Sequence, residues 1–139
     1  MKTILIVDDE KNIVSGLEEA FTLESYNVLT AYDGKEAWDK VNTNNVDLVI
    51  TDLRMPMMNG NELVERISSA YPTLPVIVLT GHGTIETAVE SMRRGAVDFF
   101  TKPVDLDKLF LVVKKCLANS ELQEQNKKLT EEIEKLKNQ

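Results

Sequence analysis

The fold of this chain is decided by the stretch VDLVITDLRMP, residues 46–56. Its centre is a continuous apolar run with β-branched residues, which is typical of a strand buried on both faces of a parallel sheet. The run stops abruptly at the carboxylate of Asp52. Because ligands of open α/β sheets bind at the carboxyl ends of the strands, Asp52 is a candidate for the reactive group.

Four more strand-like segments alternate with helical patterns along the chain. They are short apolar or β-branched runs at residues 3–7, 28–31, 76–80 and 98–101. Between them, apolar residues recur at intervals of three and four, which indicates amphipathic helices. This alternation predicts a doubly wound α/β fold, in which five parallel strands form one sheet with helices on both faces, joined by right-handed crossovers.

Polar and charged side chains follow these strands. Asp8 and Asp9 come after the first strand, Thr80 ends the fourth, and Lys102 follows the fifth. Only one edge of a parallel sheet collects the residues that follow its strands. We therefore expect these side chains to meet Asp52 in one crevice.

The residues expected in this crevice predict a metal site and a phosphoryl transfer. Three clustered carboxylates repel one another, so such an arrangement is expected to hold a cation. Mg²⁺ fits best because it prefers hard oxygen ligands, whereas the lone His82 and the distant Cys116 offer zinc no ligand set. With the neighbouring charge offset, Asp52 is expected to attack a phosphoryl donor and form an acyl phosphate. Lys102 and Thr80 would bind the phosphoryl oxygens.

The composition limits other functions. The chain has 139 residues, 42% of them hydrophobic, and a formal net charge of -7, which suits one domain with a normal core. The acidic balance argues against direct binding of nucleic acid or an anionic membrane. The single cysteine permits no internal disulfide, and no apolar run approaches a signal segment or a membrane span. We expect a cytoplasmic location.

The composition changes after residue 117, where polar helix formers dominate. We predict a globular domain over residues 1–117 and a helical coiled-coil dimerisation linker over residues 118–139, with the last helix running unbroken from about residue 106 into the linker. The dimerisation residues of the predicted heptad seam are Leu122, Asn126, Leu129, Ile133 and Leu136. A solvated helix that frays is the alternative, because about three heptads with asparagine at position a are marginal alone.

At its motifs the chain resembles the response-regulator receiver family of two-component signalling. The resemblance covers residues 2–117 and rests on motifs that stand in order and at the family's spacing. They are VDDE at 7–10, Asp52 with MP at 55–56 and NG at 59–60, TG at 80–81, and KP at 102–103. It implies a flavodoxin-like, CheY-like fold and phosphorylation of Asp52 by a partner histidine kinase with Mg²⁺.

The resemblance also implies a role for each acid near Asp52. Asp9 would bind Mg²⁺ directly, and Asp8 would bind it, often through water. Arg54 would give its backbone carbonyl to the metal, and Asp52 would complete the metal ligands.

The remaining roles that the resemblance implies concern the phosphoryl group and the switch. Thr80 and Lys102 would bind the phosphoryl oxygens, and Phe99 would be the aromatic residue whose rotamer follows Thr80. The Lys102-Pro103 bond would be cis, which proline permits at modest cost. Phosphorylation is then expected to repack the face formed by the fourth and fifth helices, a second surface for homodimer contact.

Within that family, residues 80–89 and 95–100 look like the NtrC group, which regulates transcription by enhancer binding and sigma-54-dependent activation. Phosphorylation would change receiver dimer geometry and control a downstream ATPase. The chain carries neither an ATPase module nor a DNA-binding helix pair, so we expect both in sequence after Gln139. A coiled segment that ends without a cap also points to a connection there.

Two other functions remain open on the residues. A metal-dependent phosphohydrolase would use Asp52 as a nucleophile on an outside substrate, but Arg54 stands where a second acid would serve as general acid. An inert receiver-like adaptor would use only the coiled tail for dimerisation. The favoured switch is not an enzyme in the usual sense, because it catalyses only its own Mg²⁺-dependent phosphoryl transfer and dephosphorylation.

Overall fold

A five-stranded parallel sheet forms the centre of the computed structural model, which describes residues 1–137. The strands are β1 (Thr3–Val7), β2 (Asn27–Ala31), β3 (Leu48–Thr51), β4 (Val76–Thr80) and β5 (Asp98–Thr101). Their order across the sheet is β2-β1-β3-β4-β5. The predicted doubly wound α/β fold is confirmed, and the strand that precedes Asp52 lies at the centre of the sheet.

Helices cover both faces of the sheet. They are α1 (Lys11–Leu23), α2 (Gly34–Thr43), α3 (Gly60–Ala70), α4 (Ile85–Arg94) and α5 (Leu106–Lys137). Helices α2 and α3 bury their apolar residues in a core on one face, and α1 and α5 bury theirs in a second core on the other. Because both faces are covered, β1, β3 and β4 are fully buried apolar runs, as expected for a parallel sheet.

Side-chain caps explain where two of the helices begin. Asp33 accepts a hydrogen bond from the backbone N–H of Glu36 at 2.7 Å at the start of α2. Asn59 accepts one from the N–H of Glu62 at 2.9 Å at the start of α3. Each bond satisfies an N–H that has no partner inside the helix. Helix α4 ends at Gly95, whose φ of 123° is a conformation that favours glycine.

The strand order creates the crevice that the sequence predicts. The chain passes from β1 to β2 on one side and then returns to β3 on the other side of β1, so the connections above β1 and β3 diverge. Val7 and Thr51 are paired across these strands. Asp8 and Asp52, the next residue on each strand, therefore emerge side by side.

Helix α4 is attached differently from the other helices. Its apolar residues Ile85 and Val89 are 84% and 54% exposed. Its fully buried residue is Ser91, whose hydroxyl donates a hydrogen bond to Asn61 Oδ1 of α3 at 3.1 Å. The apolar spacing of α4 therefore does not mark a packed face. A second polar contact with α3 is the ion pair of Arg94 with Glu65 at 3.3 Å.

Helix α5 runs for 32 residues without a break, a length of roughly 50 Å at about 1.5 Å per residue. The predicted continuous helix is confirmed as far as Lys137, and the end of the predicted linker, residues 138–139, lies outside the described residues. The exposed seam residues are Leu122, Asn126, Leu129, Ile133 and Leu136. Neither α5 nor any other helix within residues 1–137 is long and apolar enough to cross a membrane.

Gly60 offers a test of how tightly the loop after Asp52 packs. A Cβ on Gly60 would lie 2.1 Å from the carbonyl oxygen of Asp52 and 2.8 Å from Leu53 Cα. Since both are backbone atoms, Gly60→Ala is expected to lower the free energy of unfolding by about 1–3 kcal/mol in urea denaturation. Gly16→Ala is the control, because Gly16 is helical with nothing within 4 Å, and it should raise stability by about 0.5–1 kcal/mol. Equal effects of the two substitutions would contradict the tight packing.

Candidate functional site

Three carboxylates meet at the carboxyl edge of the sheet. Asp8 and Asp9 follow β1, Asp52 follows β3, and one oxygen of each lies within 4.8 Å of the others. Asp8 and Asp52 are buried at 3% and 4% exposure, whereas Asp9 is exposed. The cluster therefore has a buried floor and one open side, through which a ligand can reach it.

Lys102 points into the same cluster. Its Nζ lies 2.6 Å from Asp8 Oδ2 and 3.2 Å from Asp52 Oδ2. The pairing of β5 with β4 places it there, since the N–H of Lys102 donates to the carbonyl oxygen of Thr80 at 2.9 Å. The structure thus brings together the acids and the lysine that the sequence places in one crevice.

Burial and charge act against each other in this cluster. Burial raises the pKa of Asp8, although the hydrogen bond from Lys102 acts in the opposite direction. Burial alone would lower the pKa of Lys102, but its hydrogen bond to Asp8 and the charges of Asp52 and Asp8 raise the pKa overall. Lys102 therefore stays cationic, and its one charge only partly offsets the acids. The remaining negative charge and the hard oxygen donors suit a divalent cation such as Mg²⁺.

Hydrogen bonds hold the Asp52 carboxylate in place. Its Oδ1 accepts a bond from the N–H of Leu53 at 2.6 Å, while Oδ2 faces Lys102. The buried hydroxyl of Thr51 donates to the carbonyl oxygen of Asp52 at 2.9 Å. Thr51 is not among the predicted site residues, although its place immediately before the candidate nucleophile is a sequence signal for this role.

The loop after β4 links Thr80 to Phe99. The buried Thr80 Oγ1 accepts a hydrogen bond from the N–H of His82 at 3.2 Å. A Cβ on Gly83 would lie 2.1 Å from Thr101 Cγ2 and 3.2 Å from Phe99 Cε1. The loop that carries the Thr80 hydroxyl bond therefore rests against the ring of Phe99. A switch role for these residues remains a prediction, and this contact is a physical route for it.

Two further expectations concern residues at the rim. The Lys102-Pro103 bond is cis, as expected. Arg54 lies two residues after Asp52 with an exposed side chain, and its backbone carbonyl as a metal ligand remains a prediction.

Phe99 and Phe100 are both half-buried, and they pack into the opposite cores of the sheet.

Comparison with known proteins identifies the class. The chain matches the family described as Response regulator receiver domain over residues 4–114, and it belongs to that family. It is 42% identical over 117 residues to the transcriptional regulatory protein GlrR of Escherichia coli strain K12, which covers 84% of this chain and 26% of GlrR. The predicted membership of the receiver family is confirmed.

Solved structures give the same result. The crystal structure of NtrX from Brucella abortus in complex with ADP has a TM-score of 0.86 and 36% identity, covering 93% of this chain and 30% of that chain. The CheY-like receiver domain protein from Methanospirillum hungatei JF-1 has a TM-score of 0.84 and 31% identity, covering 88% of this chain and 98% of that chain. Together with GlrR, NtrX supports the predicted NtrC-like group. The chain spans about a quarter of the length of GlrR.

The raised pKa of Asp8 predicts how stability depends on pH. Because the folded chain holds this proton at pH values where the unfolded chain has released it, stability falls as the pH rises through that window. Asp8→Asn removes the cost, so with EDTA present at neutral pH it is expected to raise the free energy of unfolding by about 0.5–2 kcal/mol. Urea unfolding from acidic to neutral pH measures the effect, and the gain should shrink in acid.

The matched control for this substitution is Asp39→Asn, which makes the same chemical change at an exposed residue of α2. It should change stability by no more than about 0.5 kcal/mol at any of these pH values. A loss of stability in Asp8→Asn at neutral pH would contradict the idea that the ionised Asp8 is held at a cost.

Proposed function

We propose that this chain is a phosphorylation-dependent signalling switch, in which Asp52 accepts a phosphoryl group from a histidine kinase. The observation that carries the proposal is the buried pair Asp8 and Asp52 facing Lys102 at the crevice between β1 and β3. The proposal is also supported by membership of the receiver family and by a relative named as a transcriptional regulatory protein.

The transfer is a displacement at phosphorus. A carboxylate oxygen of Asp52 attacks the phosphorus of a phosphohistidine, the O–P bond forms, and the P–N bond breaks with its electron pair passing to the imidazole nitrogen, which takes up a proton. Lys102 lies beside the attacked carboxylate and offsets the charge of the phosphoryl oxygens. Oδ2 is the better placed nucleophile, because its bond from Lys102 at 3.2 Å is longer than the 2.6 Å bond by which the N–H of Leu53 holds Oδ1.

The metal ligands in this proposal are Asp8, Asp9, Asp52 and the backbone carbonyl of Arg54. Bound Mg²⁺ would lower the repulsion between these acids and the incoming phosphoryl oxygens. The carboxylates fit this role because three of them can offer one oxygen each to a common point.

The signal would leave the site through Thr80. Its hydroxyl would turn from the N–H of His82 toward a phosphoryl oxygen and draw the loop with it. Phe99, which lies against Gly83 in that loop, would then repack. The exposed apolar residues of α4 belong to the surface that this change would alter, and we expect α5 to complete that surface as a second homodimer contact.

We propose that the output of the switch needs further modules, since this chain spans about a quarter of the length of GlrR. We propose that residues 1–117 are the receiver domain, since Leu117 is the last buried residue of α5. Residues 118–139 would form a parallel coiled-coil dimer that sets the geometry of a downstream ATPase and DNA-binding module for sigma-54-dependent activation. We propose a cytoplasmic protein without direct contact to nucleic acid or membrane, and with no catalysis beyond its own phosphoryl transfer and dephosphorylation.

Phosphoryl incorporation tests the role of Asp52. With acetyl phosphate and Mg²⁺, the native chain is expected to gain one phosphoryl group, and Asp52→Asn should lose at least about 90% of the incorporation because the amide is a poor nucleophile. Intact-protein mass spectrometry measures it, with Asp39→Asn as the control that keeps full incorporation. Phosphoryl incorporation that survives in Asp52→Asn, or no incorporation in the native chain, would contradict the proposed switch. Sustained turnover of a small phosphomonoester would instead favour the phosphohydrolase.

Substitutions in the predicted heptad seam of α5 test the proposed dimerisation. The native chain is expected to show a mass that rises with concentration toward a dimer in sedimentation equilibrium. Leu129→Gln should raise the dimer dissociation constant by at least about tenfold, since a loss of only about 1.4 kcal/mol suffices, whereas Lys128→Gln on the polar face should change it little. A concentration-independent monomer mass for the native chain would defeat this proposal and favour a solvated helix.

A further inference from the structure

One face of α5 runs from the core to the linker without interruption. Leu109, Val113 and Leu117 are buried in the core that α5 shares with α1. Ser120 and Glu124 continue the same spacing of three to four residues, so they lie on the same helix face. At that point α5 passes the amino-terminal edge of the sheet, which is opposite the edge that carries the phosphoryl site.

Three contacts bind this face to that edge. Lys2 Nζ lies 2.6 Å from Glu121 Oε1. The hydroxyl of Ser120 donates to the carbonyl oxygen of Thr73, and the hydroxyl of Thr73 donates to Glu124 Oε1 at 3.2 Å. We refer to these five residues as the clasp.

Both domain partners of the clasp belong to the folded framework. The carbonyl oxygen of Lys2 accepts the N–H of Asn27 at 2.9 Å, which ties Lys2 to the start of β2. Thr73 lies in the turn between α3 and β4, where the N–H of Leu74 donates to the carbonyl oxygen of Tyr71 at 3.0 Å. The linker helix is thus held from two separate segments of the domain.

The clasp leaves the predicted dimer seam free. With Leu122 and Leu129 at position d of the heptad, Ser120, Glu121 and Glu124 fall at positions b, c and f. These positions lie on the outer surface of a two-stranded coiled coil, whereas a and d face the partner helix. One helix can therefore bind its own receiver and a second copy of the chain at the same time.

We propose that the clasp fixes each receiver on the outer face of the coiled coil, so that the receiver and the first turns of the linker move as one rigid body. This rests on the proposed dimerisation. The phosphoryl site then lies at the end of the receiver away from the linker, and each receiver cannot swivel about α5. A change in the receiver is passed on as a change in the direction of the helix.

The strength of the clasp comes from the combination of its contacts. A single exposed ion pair such as that of Lys2 and Glu121 is weak. Once one contact forms, however, the others are held at high effective concentration and cost less to order. The Glu121 partner also raises the pKa of Lys2, so Lys2 stays protonated over the physiological range.

The test compares two double variants of the intact chain. Glu121→Gln with Glu124→Gln removes charges in the clasp. Glu131→Gln with Glu134→Gln makes the same change at outer positions of α5 for which residues 1–137 provide no salt bridge. Hydrogen exchange is followed by mass spectrometry in peptides over residues 118–124 and 129–136. We expect exchange over 118–124 to accelerate at least about fivefold in the clasp variant and to stay unchanged in the control.

A distance measurement tests the rigid-body part of the proposal. Spin labels at Asp39→Cys and Glu132→Cys, in a dilute Cys116→Ser chain whose dimerisation is weakened by Leu129→Gln, report the spacing between the receiver and the linker. The distribution should be narrow with the clasp intact and about twofold broader when Glu121 and Glu124 are replaced. Equal exchange rates or equal widths in the clasp and control variants would overturn the proposal.

The two proposals fail in different ways. If the coiled-coil dimer is wrong, the native chain stays monomeric and residues 129–136 exchange fast at every concentration, but the clasp variant still loses protection over 118–124. If the clasp is wrong, a dimer forms and the clasp variant behaves as the control does.

Discussion

The structure depends on the electrostatic balance between Lys102 and the two buried carboxylates of Asp8 and Asp52. One cationic group at 2.6 Å and 3.2 Å cannot offset both acids and the nearby Asp9. Burial of charge without full compensation is costly, and the raised pKa of Asp8 records that cost. A divalent cation bound between the three acids would offset the remaining negative charge and remove this cost.

The parallel sheet makes this arrangement inevitable once its register is set. The pairing of Val7 with Thr51 puts Asp8 beside Asp52, and the pairing of Thr80 with Thr101 directs Lys102 toward them. Close backbone contacts then fix the loop after Asp52, because Gly60 leaves no room for a side chain. The site is therefore a property of the whole fold and not of one loop.

The strands could be predicted because a buried strand leaves a continuous apolar run in the sequence. The crevice and its charged residues could be predicted because the residues that follow parallel strands meet at one edge of the sheet. The bounds differ by a residue, as at β2, which begins at Asn27 and not at residue 28. The sequence did not reveal that α4 exposes Ile85 and Val89, since an apolar spacing of three and four looks the same whether or not a neighbour covers it. It also gave no sign of the contact between Lys2 and Glu121, which only the folded path of α5 brings together.

We propose that a divalent cation must offset the acids before Asp52 can take a phosphoryl group. The most direct measurement is the initial rate of Asp52 phosphorylation by acetyl phosphate as a function of free Mg²⁺, in native chain and in Asp9→Asn. The rate is expected to be negligible in EDTA and to saturate with Mg²⁺, and the half-saturating concentration should be at least about tenfold higher in Asp9→Asn. A native rate that is the same in EDTA as in saturating Mg²⁺ would contradict it.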